Sequence, residues 1–159
     1  MSARLRDETP RLVPMSLARL DDVLRIEQAA YPFPWTRGNF IDSLAARYVA
    51  EMLMNEGQVV GYFVAMAGID EMHLLNLTVA PPWQGRGLGL AMLDALVDRC
   101  RSRGAAQLWL EVRESNVRAR AIYARYRFAE VGRRRGYYPA PQGTREDAVV
   151  MSLEVRDVE

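Results

Sequence analysis

Three parts of this 159-residue chain combine residue types that could do chemistry. The first is Gln84-Gly85-Arg86-Gly87-Leu88-Gly89-Leu90, which follows the apolar run Leu74-Leu75-Asn76-Leu77-Thr78-Val79 and opens an amphipathic segment. Closely spaced glycines let backbone N–H groups converge on one point. A helix start adds unpaired amides and a positive dipole end, so the segment suits an anion with several oxygens. The second part is Glu111, alone in Leu108-Trp109-Leu110-Glu111-Val112. A carboxylate there is costly unless it has a partner or a task, and desolvation would make it a better proton acceptor. It could equally face solvent or pair with Arg113. The third is Asn116 followed seven residues later by Tyr123. The asparagine could hold a ligand or simply cap a helix. The phenol could give up a proton or pack in the core beside Ile122 and Phe128.

The anion can be narrowed by what the glycine loop lacks. A Walker loop needs a lysine, and the chain has none. A dinucleotide fingerprint needs glycines at its first, third and sixth positions; counted from Gly85 the sixth is Leu90, and counting from Gly87 fails too.

The elements that must position these groups read as follows. Arg11 to Pro14 is a short strand, and Ser16 is placed to cap a helical region carrying Leu20, Val23, Leu24 and Ile26. Pro32 and Pro34 end it, Thr36 caps a second helix, and Phe33-Pro34-Trp35 forms a stiff aromatic corner between them. Tyr48 to Met54 and Gln58 to Ala67 read as a hairpin turning at Asn55-Glu56-Gly57, and Met72 to Val79 as a fourth strand. Leu88 to about Arg103 is a helix ended by Gly104, Gln107 to Val112 a buried strand, and Ser115 or Asn116 caps a helix to about Tyr126. Two last strands, Ala129 to about Arg135 and Ala148 to Leu153, flank a loop holding Tyr137, Tyr138 and Pro139. A meander followed by strand–helix alternation predicts an α/β fold with one mixed sheet and helices on both faces.

Gln-x-Arg-Gly-x-Gly after a strand resembles the pyrophosphate-binding motif of the GNAT superfamily of acetyl-coenzyme A-dependent N-acetyltransferases. Leu108-Trp109-Leu110-Glu111-Val112-Arg113, Ser115-Asn116, Ala121-Ile122-Tyr123, Phe33-Pro34-Trp35, Tyr137-Tyr138-Pro139 and Arg145-Glu146-Asp147-Ala148 resemble the bacterial RimI family, from about Leu12 to Leu153. That likeness implies the GNAT fold and acetyl-CoA as cosubstrate without a metal. It also implies direct transfer to the N-terminal alanine α-amine of a small-subunit ribosomal protein. By the same likeness Gly85, Arg86, Gly87, Leu88, Gly89 and Leu90 hold the pyrophosphate, Leu77, Thr78 and Val79 bond the pantetheine arm through their main chain, and Asn116 binds cofactor. Glu111 is then the general base and Tyr123 the general acid. One departure stands out: relatives carry Gly before Phe in Tyr-x-x-x-Gly-Phe, and here Arg127 precedes Phe128.

Composition limits the rivals. The length suits one domain over residues 1–159, with a core of about 11–153, that buries roughly two thirds of its unfolded surface. A net charge of +1 gives no bulk field for nucleic acid or a membrane, which argues against an RNA-binding protein. All 21 basic residues are arginine, which reads as codon bias. Cys100 falls on the apolar stripe with Leu88, Met92 and Leu96 and reads as core. No run reaches the roughly 18 apolar residues of a membrane span and no signal peptide is evident, so a cytoplasmic monomer or weak dimer is expected. About ten residues at the start, and those after Leu153, are candidates for disorder. His73 reads as a surface residue with no second His or Cys to share a metal, and Arg133-Arg134-Arg135 as a solvated strand end. The aromatic corner and Tyr137-Tyr138 could line an acceptor groove or be core. Two alternatives remain: a GNAT enzyme acting on another N-terminus or a small-molecule amine, and a non-catalytic coenzyme A-binding module, which would not need both Glu111 and Tyr123.

Overall fold

Seven strands and four α-helices make up the computed structural model, which describes residues 9–159. Most of the N-terminal stretch expected to be disordered lies outside the described residues. The order is β1 (Arg11–Pro14), α1 (Leu20–Ala30), α2 (Arg37–Ala45), β2 (Val49–Asn55), β3 (Gln58–Ala67), β4 (Glu71–Val79), α3 (Leu88–Ser102), β5 (Gln107–Arg113), α4 (Val117–Arg125), β6 (Ala129–Pro139) and β7 (Arg145–Glu154). The strands form one mixed sheet in the order β1-β2-β3-β4-β5-β7-β6. Two compact units are discernible, one of the residues up to Val64 with Asn76–Leu88, the other of Ala65–Leu75 with Gly89–Glu159.

In the first unit β1 pairs antiparallel with β2, and β2 turns into β3 through Glu56 (φ 50°) and Gly57 (φ 78°). Two left-handed residues match the right-handed twist of a two-residue hairpin. Thr36 caps α2 by a full capping box with Asn39, as its position predicts. Ser16 precedes a 3-10 turn, Leu17–Arg19, but its side chain makes no capping bond. Phe40, Tyr62, Phe63 and Leu20 are the largest apolar groups of this core, all at most 1% exposed.

In the second unit β4 begins parallel to β5, with Glu71 to Leu74 opposite Gln107 to Leu110, while β7 runs antiparallel to β5 on its other side. β5 alternates: Leu108, Leu110 and Val112 are buried on one face, and Trp109, Glu111 and Arg113 are half-buried on the other. Period-two side-chain direction thus puts Glu111 beside whatever flanks Trp109. In α3, Met92, Leu93, Leu96, Val97 and Cys100 make the buried stripe, and burial pushes the Cys100 thiol up to about 11, so it is a core thiol.

Two expectations change. β6 continues to Pro139, carrying Tyr137 and Tyr138 on the strand rather than in a loop, with its register shifted between Arg134 and Tyr138. Left-handed Gly136 (φ 57°) makes that bulge. Asp147 Oδ1 accepts from its N–H at 2.9 Å and Arg145 Nε donates to its carbonyl at 2.7 Å. The residues after Leu153 are also tied down, since Val155 is buried and its N–H donates to Ala106 O at 2.9 Å.

The residue before Phe128 keeps the conformation that glycine would favour. Arg127 sits at φ 84°, and the N–H of Phe128 reaches Tyr123 O at 3.0 Å, closing the helix end as a left-handed cap does. Arg127 is exposed, so little packing opposes a change there and the strain of its left-handed backbone favours one. Arg127→Gly should therefore stabilise the fold by about 0.5–1 kcal/mol, read as a higher urea midpoint at unchanged slope. A lower midpoint would show that the Arg127 side chain contributes more than its backbone costs.

Candidate active site

β4 leaves the sheet at Val79 and passes through a 3-10 turn, Pro81–Trp83, into the glycine loop. Gln84 pins this loop, its Nε2 donating to Val79 O at 3.1 Å. Arg86 lies with its guanidinium 4.6 Å from the Trp83 ring centroid and donates to Pro82 O at 3.4 Å, which folds its side chain along the turn. Gly85 and Gly87 are left-handed, at φ 81° and 80°, and a Cβ on either would meet no protein atom within 4 Å. Conformation rather than crowding demands glycine, and the open side is where a ligand can reach the amides. Helix α3 starts at Leu88 and runs for 15 residues, so its first-turn N–H groups face the same end. This arrangement fits a pyrophosphate. Gly87→Glu adds strain and a negative charge at once, and calorimetry should show coenzyme A affinity falling at least about tenfold. Parental affinity would remove the loop from the cofactor site.

The end of β4 is bound up with the aromatic corner. Tyr31 Oη donates to Leu77 O at 3.3 Å and lies 2.8 Å from Thr78 Oγ1, which donates to Asn76 Oδ1 at 2.7 Å. Asn76 Nδ2 then donates to Glu27 Oε1 at 3.0 Å, where the Tyr62 hydroxyl also donates at 2.6 Å. Glu27 Oε2 accepts from the N–H of Trp35 at 2.9 Å, and the glutamate is only 2% exposed. Burial and the adjacent Glu27 push the Tyr62 phenol far up, so it stays a donor. Trp35 packs on Phe40 at 5.1 Å, while Phe33 is 38% exposed. Trp35 thus belongs partly to the core and Phe33 faces outward.

Glu111 neither faces solvent nor pairs with Arg113. His73 Nε2 stands 2.8 Å from its Oε1, and Arg134 Nε pairs with its Oε2; the Glu111 side chain is 10% exposed. Arg113 instead donates to Glu146 Oε1 at 2.8 Å. Burial pushes Glu146 up, but that bond and those from the Ser115 hydroxyl and N–H outweigh it and hold the carboxyl below its usual range. His73 is therefore no surface bystander, and Arg134 no solvated strand end. Tyr138 faces the same carboxylate. Burial, then the Glu111 charge, push its phenol up to about 12, and the Arg113 guanidinium stacks 4.5 Å from its ring.

Asn116 caps α4, its Oδ1 accepting from the N–H of Ala119 at 3.1 Å, so the capping reading holds for its oxygen. Tyr123 is 7% exposed and meets Phe128 edge-on at 5.5 Å, so it packs in the core. That contact is compatible with a phenol whose tip is directed elsewhere.

A family model described as Acetyltransferase (GNAT) family matches residues 20–128. The chain belongs to that family. The [ribosomal protein bS18]-alanine N-acetyltransferase of Escherichia coli strain K12 is 42% identical over 130 residues, covering 82% of this chain and 87% of the relative. The enzyme of that name from Haemophilus influenzae is 40% identical over 127 residues, covering 80% and 86%. The crystal structure of the Escherichia coli ribosomal-protein-S18-alanine N-acetyltransferase superposes with a TM-score of 0.84 at 37% identity, covering 92% of this chain and 94% of that one.

Sequence reading of this GNAT chain missed four side chains: Glu27, His73, Arg134 and the pinning role of Gln84. Glu27 had a signal, since it continues the Leu20, Val23, Leu24 stripe and so had to be buried. His73 had a weaker one, a polar residue between Met72 and Leu74 in an apolar strand. Arg134 had none, because it reaches Glu111 from a strand that does not neighbour β5. Among the described residues no helix is long and apolar enough to cross a membrane.

Proposed function

We propose that this chain is an N-terminal protein acetyltransferase that acetylates the N-terminal alanine α-amine of a small-subunit ribosomal protein. The observation that carries the reading is the 42% identity to an enzyme so named across most of both chains. Acetyl-CoA would supply the acetyl thioester, with Gly85 to Leu90 at its pyrophosphate, the main chain of Leu77, Thr78 and Val79 along its arm, and the Asn116 amide nitrogen as a further donor. Glu111 would take a proton from the acceptor's ammonium, directly or through a water, so that a neutral amine attacks. Tyr123 would return a proton to the departing thiolate. On the same reading the chain acts as one domain, in the cytoplasm, as a monomer or weak dimer.

An α-amine has a pKa near 8 and a lysine side chain one near 10.4, so a carboxylate base frees far more of the former at neutral pH. A peptide beginning Ala-Arg should be acetylated, and its N-formylated copy carrying an internal lysine should not. Efficient acetylation of the blocked copy would contradict the proposal, and activity on small amines alone would move it to another acceptor class.

A further inference from the structure

We infer that the resting base is capped at both oxygens, with one fixed cap and one exchangeable cap. His73 holds Oε1 of Glu111 throughout, and the Arg134 guanidinium occupies the place on Oε2 that the acceptor's α-ammonium takes. This rests on Glu111 being the base.

The two caps differ in how they are held. His73 lies within β4, in parallel register with Trp109 two residues before Glu111, and its side chain is 30% exposed. Its Nε2–H can therefore keep one carboxylate oxygen in one orientation. Arg134 projects from the bulged part of β6 and its side chain is 57% exposed. The Tyr137 ring, 5.5 Å from the guanidinium carbon and itself exposed, offers the cation a second seat once it leaves Oε2.

A carboxylate with both oxygens engaged cannot accept from a third donor until one partner leaves. Guanidinium and ammonium are both N–H cations, so exchanging one for the other keeps a half-buried charge compensated at every stage. After exchange the ammonium proton moves to Oε2, the neutral amine forms the C–N bond as the C–S bond breaks, and coenzyme A leaves as its thiol, Tyr123 giving the thiolate a proton and regaining one from the acylated nitrogen. Once the product has left, that proton passes to water and Arg134 returns. His73 is a positioning residue in this scheme, and Arg134 a competitor of the acceptor.

The two residues should therefore respond with opposite signs. With acetyl-CoA and the Ala-Arg peptide, Arg134→Gln should lower the peptide KM about 3- to 5-fold with kcat within about twofold, the size expected for losing an ion pair whose cation is exposed. His73→Phe should lower kcat about tenfold or more, and His73→Gln, which restores an N–H donor, should recover most of it. Coenzyme A affinity at the parental level reports folding for each variant; should His73→Phe fail it, the Arg134 arm decides alone. A raised peptide KM or a tenfold lower kcat in Arg134→Gln, or His73→Gln as slow as His73→Phe, overturns the inference. Glu111→Gln separates the two levels. If it is fully active, the base assignment fails; if it is inactive while Arg134→Gln raises KM, only the capping scheme fails.

Discussion

Glu111→Gln is expected to cut turnover by about 100-fold or more while coenzyme A affinity changes little. Glutamine keeps the shape and can still accept from His73, so the change removes a proton acceptor rather than a strut. The alternative role for Glu111 is as the anchor that fixes Arg134 and His73 around it. An anchor would be partly replaced by glutamine, because the amide oxygen still accepts from one of the two donors. The expected defect should also shrink as pH rises toward the acceptor's own pKa near 8, since less ammonium then needs draining. Near-normal turnover across the whole pH range would take Glu111 out of the mechanism.

Tyr123→Phe is the second large effect, again about 100-fold or more in turnover with coenzyme A binding intact. A phenol of ordinary pKa near 10 is protonated at neutral pH, yet acidic enough to meet a thiolate of pKa about 8.5 as the carbon–sulfur bond breaks. The structure sharpens this test. Tyr123 packs edge-on against Phe128 and is nearly buried, so phenylalanine preserves the contact that matters for folding. Tyr123→Ala, by contrast, should cost about 3–5 kcal/mol through the cavity it leaves. A fully active Tyr123→Phe beside an unstable Tyr123→Ala would make Tyr123 a packing residue and leave solvent to supply the proton.

What was legible in the sequence was what local geometry decides. The glycine loop, the Thr36 and Asn116 caps, the Gly104 stop and the Glu56-Gly57 turn each depend on a few neighbouring residues, and all formed where expected. What was not legible came from residues distant in sequence. The partners of Glu111 arrive from β4, beside its own strand, and from β6, two strands away, and neither strand's own pattern says which side chains will reach it. β6 itself was read too short, to about Arg135, whereas Arg145 and Asp147 hold Gly136 as a bulge inside a longer strand. Arg127 shows the converse: the residue type argued against a left-handed cap, and the closing bond from Phe128 imposed one anyway.

The hydrogen bonds that converge on Glu27 constrain how this protein can change over time. Tyr62, Asn76 and the Trp35 amide all donate to one buried carboxylate, and the Thr78 hydroxyl donates in turn to Asn76. Replacing any single member strands a buried polar group on the next, so the first substitution does most of the damage and later ones add little. Such positions can drift only as a block, through compensated combinations that single steps rarely reach. Substitutions that the fold tolerates one at a time should therefore gather at exposed positions outside the network, such as Ile41, rather than among its members.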